Sequence, residues 1–157
     1  MSQPRDRRRV ALQALYQLDS GCADDEQVAD ATTLRESMET DSLDDQTFID
    51  GVQLGRDAWA HRSVADAAIE PLTPDWPIRR QPTIDRNILR LAVYEMHEVG
   101  TPPKVAISEA IELAREFSTA ESPSFVNGVL DKLMHAPPAQ PPSSNPTSSG
   151  PDDSQES

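Results

Sequence analysis

The sequence predicts an all-α protein, a compact bundle of six or seven helices. Apolar residues recur at helical spacing through most of the first 136 residues, and no segment shows the sustained two-residue alternation of a β-strand. Proline-rich stretches separate several of the periodic segments, as connections between helices do. A chain of 157 residues has room for one ordinary domain and leaves little for a second.

The first half of the chain contains three predicted helices. Helix one has a single apolar stripe, formed by Ala11, Ala14, Leu15 and Leu18. A weaker helix is predicted over 25–39. A longer helix starts near Asp44 and ends before Pro71, with spacings of four, three and four between Phe48, Val52, Gly55 and Trp59.

The second half begins with a predicted loop at 72–82, because this segment contains three prolines; one short helical turn would fit inside the loop. Thr83 then follows as a candidate N-cap, and Asp85 adds a negative charge to the first turn of the next helix, where the helix dipole favours it. Residues 88–93 are apolar nearly all round. We therefore expect this helix to lie in the middle of the bundle.

Two further helices complete the predicted domain, which spans 1–136. Gly100 and Pro102 end the central helix, and the next helix carries Val105, Ala106, Ala110, Ile111, Leu113, Ala114 and Phe117. In the last helix, Ser122 is the candidate N-cap and Pro123 the first helical residue. Residues 137–157 hold six of the 14 prolines and a single apolar residue, so we predict a disordered tail there.

The net charge conceals a strongly segregated charge pattern. The formal total of −13 argues against a nucleic-acid-binding protein, which usually has a basic balance. However, the first nine residues contain four arginines (Arg5, Arg7, Arg8 and Arg9) and one acid, Asp6. Arginines at a helix N-terminus oppose the dipole, so the helix gains nothing from them. Guanidinium groups suit phosphate contacts, so the cluster predicts a phosphate-binding segment. In the alternative interpretation it is a solvated arm that keeps the acidic body soluble.

Helical geometry places part of this cluster on a second face of helix one. Arg5, Arg9, Leu12 and Tyr16 form a stripe that lies roughly opposite the apolar stripe. The stripe predicts a composite surface that binds phosphate at one end and a protein at the other. In the alternative interpretation helix one is sandwiched between two others, and Leu12 and Tyr16 belong to the core.

No catalytic, cofactor-binding or metal-binding pattern is recognisable, so we predict a protein that is not an enzyme and needs no cofactor or metal. His61, His97 and His135 lie far apart in the sequence, without further ligands at metal-binding spacing. The single cysteine, Cys22, lies in an acidic stretch that disfavours a reactive thiolate. No apolar run approaches the ~20 residues of a membrane span and no signal peptide is evident, so a cytoplasmic protein is expected.

Four blocks of sequence resemble the NusB family of bacterial transcription antitermination factors. The run Arg7-Arg8-Arg9 followed by Ala-Leu-Gln-Ala-Leu-Tyr (11–16) resembles the family's first helix, and Asp85-Arg86 with 88–96 resembles its central helix. Residues 103–114, Pro-Lys-Val-Ala-Ile-Ser-Glu-Ala-Ile-Glu-Leu-Ala, and 122–133, Ser-Pro-Ser-Phe-Val-Asn-Gly-Val-Leu-Asp-Lys-Leu, are similar to its last two. The blocks keep the family's order and cover most of 5–135.

The resemblance implies an all-helical, non-enzymatic protein that binds the boxA element of ribosomal-RNA leader transcripts. It also implies two partners, the ribosomal protein NusE and the RNA polymerase elongation complex. RNA contacts would fall to Arg5, Arg7, Arg8, Arg9, Glu121 and Phe125. Contacts with NusE would fall to Leu12, Tyr16 and Asp85. Asp6, Pro123 and Ser124 depart from the family's pattern, and Phe125 could equally be a core residue.

Two alternative functions remain open. A NusB-like domain can serve as a stand-alone accessory that guides a ribosomal-RNA methyltransferase, or the chain can be a structural helical adaptor without RNA binding. The second face of helix one could also pair two copies into a homodimer.

Overall fold

The computed structural model describes residues 4–21 and 43–135, and these residues form six α-helices and no β-strand. The helices are α1 (Pro4–Asp19), α2 (Asp45–Ala60), α3 (Arg62–Ile69), α4 (Thr83–Tyr94), α5 (Pro103–Phe117) and α6 (Ser122–His135). The predicted all-α bundle is confirmed. The helix predicted over 25–39, Cys22 and the predicted tail at 137–157 lie outside the described residues. None of the described helices is both long and apolar enough to cross a membrane.

α1 and α2 pack against each other at very close range because two glycines of α2 face α1. A Cβ atom at Gly51 would lie 2.5 Å from the Val10 Cβ, and one at Gly55 would lie 2.8 Å from the Ala11 carbonyl oxygen. The apolar stripe predicted for helix one is confirmed, since all four of its residues are buried: Ala11, Ala14, Leu15 and Leu18. This packing fixes the position of the helix that carries the arginine cluster.

The helix predicted from Asp44 to a point before Pro71 is two helices. α2 begins as expected, with the Asp44 carboxylate accepting a hydrogen bond from the Thr47 backbone N–H at 2.7 Å. It ends at Ala60, because His61 leaves helical geometry with φ −90° and ψ 1°. The break reorients α3 so that Ala65 and Ile69 reach the core. Apolar spacing within each helix does not reveal such a change of direction.

The connection from α3 to α4 contains two short 3₁₀ helices, Glu70–Leu72 and Ile78–Arg80, where the sequence predicted a loop with one turn at most. Buried polar side chains hold this connection in place. The Gln81 amide, in a residue only 3% exposed, donates to the Trp76 carbonyl at 3.0 Å. The Trp76 backbone N–H donates to the Thr73 carbonyl at 3.1 Å.

α4 lies at the centre of the bundle, as its apolar sequence predicted. Its residues 88–93 are all buried, and five of them belong to the main core. Thr83 is the first helical residue and makes no side-chain cap, which corrects its assignment as an N-cap. After α4 the chain forms a π-helical turn, Glu95–Val99, and stops at Gly100, whose φ of 82° favours glycine.

A buried polar network ties the end of α1 to α4. The Asp19 carboxylate accepts hydrogen bonds from Arg86 at 2.6 and 2.9 Å, from Asn87 at 2.9 Å and from Arg90 at 3.0 Å. Arg90 also binds Asp66 of α3 through two hydrogen bonds of 2.8 Å. Burial raises the pKa of Asp19, but the hydrogen bonds and the arginine charges outweigh it and hold the pKa below its ordinary value.

Candidate nucleic-acid interface

The arginines expected to bind RNA lie on the first two turns of α1, beside α5 and the π-helical turn. α1 begins at Pro4, a residue suited to the first helical position, and Asp6 in the first turn complements the helix dipole. The structure adds a feature absent from the sequence analysis. Three of the four arginines are held in ion pairs by carboxylates from distant parts of the chain.

Arg5 is the most exposed member of the cluster and pairs with Glu109 of α5. Its guanidinium donates two hydrogen bonds to the Glu109 carboxylate, at 3.0 and 3.2 Å, while the Arg5 side chain stays 59% exposed. The hydrogen bond from Arg5 lowers the pKa of Glu109; partial burial opposes this shift, and the charges of Arg5, Arg8 and Arg9 add to it. Glu109 is therefore ionised at neutral pH and offsets the Arg5 charge.

Arg9 meets two carboxylates at the surface. Its Nε donates to Glu116 of α5 at 2.9 Å, and its Nη1 donates to Asp6, one turn earlier in α1, at 2.8 Å. Asp6 interrupts the arginine cluster in the sequence, and the structure shows that it pairs with Arg9 there.

Arg8 differs from its neighbours because its pair is buried. Its Nε lies 2.9 and 3.0 Å from the two Glu95 oxygens, and the two side chains are only 11% and 6% exposed. Removing one partner of such a pair leaves the other charge buried, which costs about 3–5 kcal/mol. Arg8 therefore connects α1 to the π-helical turn and is poorly accessible to a phosphate.

Arg7 makes no ion pair with any of the described residues, and its Nε is buried without a hydrogen-bond partner. It lines a cleft of about 420 Å³ between α1, α2 and the π-helical turn. Asp50, Asp57, Tyr94 and Thr101 also line the cleft. Within the cluster, Arg7 is thus the guanidinium whose hydrogen-bonding capacity is left unused.

The carboxylates that pair with the arginines were missed by sequence reasoning. Glu109, Glu112 and Glu116 recur at spacings of three and four, which places three acids along one side of α5. That acidic stripe was the available signal that α5 lies beside a basic helix. The acids contribute directly to the electrostatics of the candidate site, because they neutralise most of the local positive charge.

The stripe of α1 that we expected to bind a partner is only partly accessible. Tyr16 is 39% exposed, which agrees with a role at the surface. Leu12 is fully buried and belongs to the main core, so its assignment to a partner-binding face is corrected. Leu12 lies at the edge of the stripe, where α1 is covered by its neighbours on both sides.

Asp85 is likewise a buried residue, 1% exposed, although the resemblance assigned it to the partner. Its carboxylate accepts a hydrogen bond from the Ser118 hydroxyl and another, at 2.9 Å, from the Ser122 hydroxyl. It thereby ties the start of α4 to the turn between α5 and α6. Ser122, predicted as an N-cap, is the first residue of α6 and donates its hydroxyl to this contact.

Glu121 and Phe125 lie at the start of α6, beyond the end of α5. Glu121 is exposed, and Phe125 is partly buried and packs against the main core. On its outer side the Phe125 ring meets Trp76, with ring centroids 4.8 Å apart and an interplanar angle of 64°. Trp76 was not identified as a site residue in the sequence.

The histidines do not form a metal site. His61 and His97, far apart in the sequence, meet edge to face with ring centroids 5.7 Å apart, and His135 is exposed near the end of α6. In the described part of the chain, no group of three or more histidine, cysteine or acidic side chains is arranged to hold a metal ion.

Sequence comparisons identify close relatives over nearly the whole described chain. The model of the NusB family matches residues 5–135. The transcription antitermination protein NusB of Symbiobacterium thermophilum is 41% identical over 134 residues, 83% of this chain and 88% of the relative. The protein of the same name from Anaeromyxobacter sp. is 41% identical over 143 residues, 89% of this chain and 96% of the relative.

Solved structures show the same architecture. T. maritima NusB superposes with a TM-score of 0.70 at 31% identity, covering 87% of this chain and 94% of that one. A chain from the crystal structure of the antitermination factors NusB and NusE in complex with dsRNA has a TM-score of 0.67. At 23% identity over 84% of this chain and 96% of that one, the second likeness concerns the fold alone.

Proposed function

Because the chain belongs to the NusB family, we propose that it is a non-enzymatic, RNA-binding transcription antitermination factor of the cytoplasm. Its ligand is the boxA element of ribosomal-RNA leader transcripts. It binds this element together with the ribosomal protein NusE, and the pair joins the RNA polymerase elongation complex.

The observation that carries the proposal is the arrangement along α1. Arg5 and Arg9 are surface arginines of the first turns, and Tyr16 is exposed further along the same side of the helix. A phosphate site and a protein site would thus share one helix, about two turns apart, with the buried Leu12 between them. RNA held by the arginines would lie next to a protein docked at Tyr16, so the bound protein can complete the RNA site.

Phosphate binding at this surface requires exchange of ion-pair partners. The Arg9–Glu116 pair is exposed on both sides, and in the Arg5–Glu109 pair the arginine is exposed while the carboxylate is partly buried. Exposed pairs contribute only about 0–1 kcal/mol each. A phosphate, with its stronger charge and several acceptor oxygens, can therefore replace them. Arg7 can bind a phosphate without losing a carboxylate partner, because it has none among the described residues. Arg8 keeps its buried ion pair with Glu95 and is not expected to bind phosphate.

The RNA contact is tested with the double variant Arg5→Ala and Arg7→Ala. We expect weaker binding to a labelled boxA oligonucleotide, and a salt slope reduced by about one unit for each lost phosphate contact. Arg115→Ala is the matched control, because Arg115 is an exposed arginine that pairs with Glu112 and lines the groove between α5 and α6. Unchanged affinity and slope in the double variant would contradict the arginine role and favour a structural adaptor.

The protein contact is tested with Tyr16→Asp. This exposed position tolerates a charge without loss of the core, so we expect co-purification with the ribosomal protein to fail while thermal unfolding stays close to that of the unmodified chain. An intact complex would show that Tyr16 lies outside the partner surface.

A further inference from the structure

Trp76 is an exposed aromatic residue that neither the sequence analysis nor the arginine cluster accounts for, and it packs on Phe125, which the resemblance assigned to RNA contact. Trp76, in the connection between α3 and α4, is 38% exposed and packs edge to face on Phe125 at the start of α6. In an edge-to-face pair, one ring presents its edge to a single face of the other. Trp76 therefore keeps at least one face that Phe125 does not cover.

The backbone that presents Trp76 is held rigidly. The Trp76 carbonyl accepts the buried Gln81 amide at 3.0 Å, and the Trp76 N–H donates to the Thr73 carbonyl at 3.1 Å. Thr73 and Gln81 are 6% and 3% exposed. A large aromatic ring on a fixed backbone can bind a flat ligand without a large ordering cost.

Two arginines follow Trp76 in the chain, at three and four positions after it. Arg79 and Arg80 form the end of the second 3₁₀ helix, and both are exposed. Neither forms an ion pair with a carboxylate of the described residues, unlike Arg5, Arg8 and Arg9 of α1. Arg79 lines a cleft that also contains Asp19, Asp66 and Glu70, but no described carboxylate lies within ion-pair distance of either arginine, so an anionic ligand would not have to displace one.

A series of contacts connects the aromatic pair to the arginine cluster. Arg9 binds Glu116 near the end of α5, Ser118 just beyond it binds Asp85, and Ser122 of the same network begins the helix that carries Phe125. The two basic regions are therefore joined by consecutive, mutually packed segments of the bundle.

We propose that Trp76 and Phe125, with Arg79 and Arg80, form a base-stacking surface for unpaired nucleotides of the bound RNA. Single-stranded RNA is recognised by stacking of splayed bases on aromatic rings and by arginine contacts to its phosphates, and this surface offers both. This inference rests on the proposed function and extends it by a second RNA contact region.

The fluorescence of Trp76 can show directly whether an RNA base stacks on its ring. The chain has two tryptophans, so Trp59→Phe leaves Trp76 as the single tryptophan, which excitation near the red edge of its absorption observes without the tyrosines. We expect a single-stranded boxA oligonucleotide to quench Trp76 fluorescence at the concentrations at which anisotropy shows binding. The same oligonucleotide annealed to its complement should quench much less, because its bases are paired.

Affinity provides the second readout. We expect Trp76→Ala to weaken binding of the single strand by about tenfold, with rescue by Trp76→Phe. The pair Arg79→Gln and Arg80→Gln should lower the salt slope by about one to two units. Ile49→Ala is the matched control, since Ile49 is an apolar residue 56% exposed on α2.

The outcomes separate this inference from the proposed function. If the unmodified chain binds the oligonucleotide and Trp76→Ala binds it equally well, without quenching in the single-tryptophan variant, the stacking surface is overturned and the proposed function stands. If Trp76→Ala weakens only the ribosomal protein complex, the surface belongs to the protein partner and the inference is wrong. If the unmodified chain binds no boxA RNA with or without the ribosomal protein, both proposals fail.

Discussion

At the RNA site proposed for α1, the carboxylates around the arginine cluster would decide how strongly the helix attracts phosphate. Arg5 and Arg9 carry Glu109 and Glu116 at hydrogen-bonding distance, so the free protein presents them nearly neutralised. An RNA that makes few other contacts gains little by displacing those acids. A cognate RNA held at further points can do so, and the acids thereby favour specificity over affinity.

Glu116→Gln tests this interpretation at one residue. The substitution removes a charge that competes with phosphate for Arg9. We therefore expect boxA binding to tighten by about threefold, as the small free energy of an exposed ion pair implies, and the salt slope to rise. Asp131→Asn is the control, since Asp131 is an exposed acid of α6 whose carboxylate lies near His135 and away from the arginine cluster. Weaker binding of Glu116→Gln would mean instead that the carboxylate holds Arg9 in its RNA-binding position.

At the scale of the elements, the close packing of α1 on α2 sets where the arginines lie. Gly55 faces α1, where an added Cβ would lie 2.8 Å from both the Ala11 carbonyl oxygen and the Ala14 Cβ. Backbone atoms cannot move aside as the end of a flexible side chain can. The helix can accept a larger residue only if α1 and α2 separate.

We expect Gly55→Ala to lower the free energy of unfolding by about 1–2 kcal/mol, because overpacking outweighs the better helix propensity of alanine. Gly128→Ala in α6 is the matched control. No atom lies within 4 Å of a Cβ placed there, so that change should raise stability by about 0.5–1 kcal/mol. Urea denaturation of the two variants measures both effects; a stabilised Gly55→Ala would show that the helices separate at little cost.

The junction of α1 with α4 depends on the ionised state of Asp19. An acid at a helix C-terminus is unfavourable by itself, and here Arg86 and Arg90 compensate for it. The folded-state pKa of Asp19 lies below its unfolded value, so the contribution to stability is complete above the unfolded pKa. It is lost as the pH falls through the lower, folded-state pKa.

Asp19→Asn should therefore destabilise the protein by about 3 kcal/mol at pH 7, since it leaves Arg86 without its carboxylate partner and Arg90 with Asp66 alone. The difference from the unmodified chain should shrink in strongly acidic solution, below the folded-state pKa, because the unmodified Asp19 is then protonated as well. Denaturant unfolding at a series of pH values measures this difference. A difference independent of pH would assign the effect to packing rather than to charge.

For the whole molecule, the proposed RNA and protein sites share α1, which predicts energetic coupling between them. If bound ribosomal protein tightens RNA binding by a given factor, RNA must tighten the protein complex by the same factor. We expect this factor to be about 5–150, the usual range for such coupling. Titrations of each ligand in the presence and absence of the other measure it from both directions, and a factor of one in both would contradict a composite surface.

The total charge of −13 is also a property of the whole molecule. It describes the acidic body of the chain and conceals a short basic segment, so by itself it argues against the nucleic-acid partner that we propose. The segregation of charge along the chain, rather than its sum, carried the functional information.

The sequence by itself determined where most of the described helices lie, α2 and α3 excepted, and where the arginines cluster. Helical spacing, proline interruptions and a glycine stop are local properties, and so α4 and the end of the π-helical turn at Gly100 could be predicted from them. The tertiary structure decided which groups meet. Arg5 pairs with Glu109, 104 positions away, and Phe125 packs on Trp76 from another segment.

The difference between local sequence and tertiary packing also explains why some sequence predictions were corrected. The burial of Leu12 and Asp85 and the break at His61 depend on which elements cover each side of a helix. Apolar periodicity reports that a residue can be buried, but it does not report how many neighbours surround a helix. Those neighbours are set by packing between distant segments, because burial and ion pairing are properties of positions in space rather than of positions in the chain.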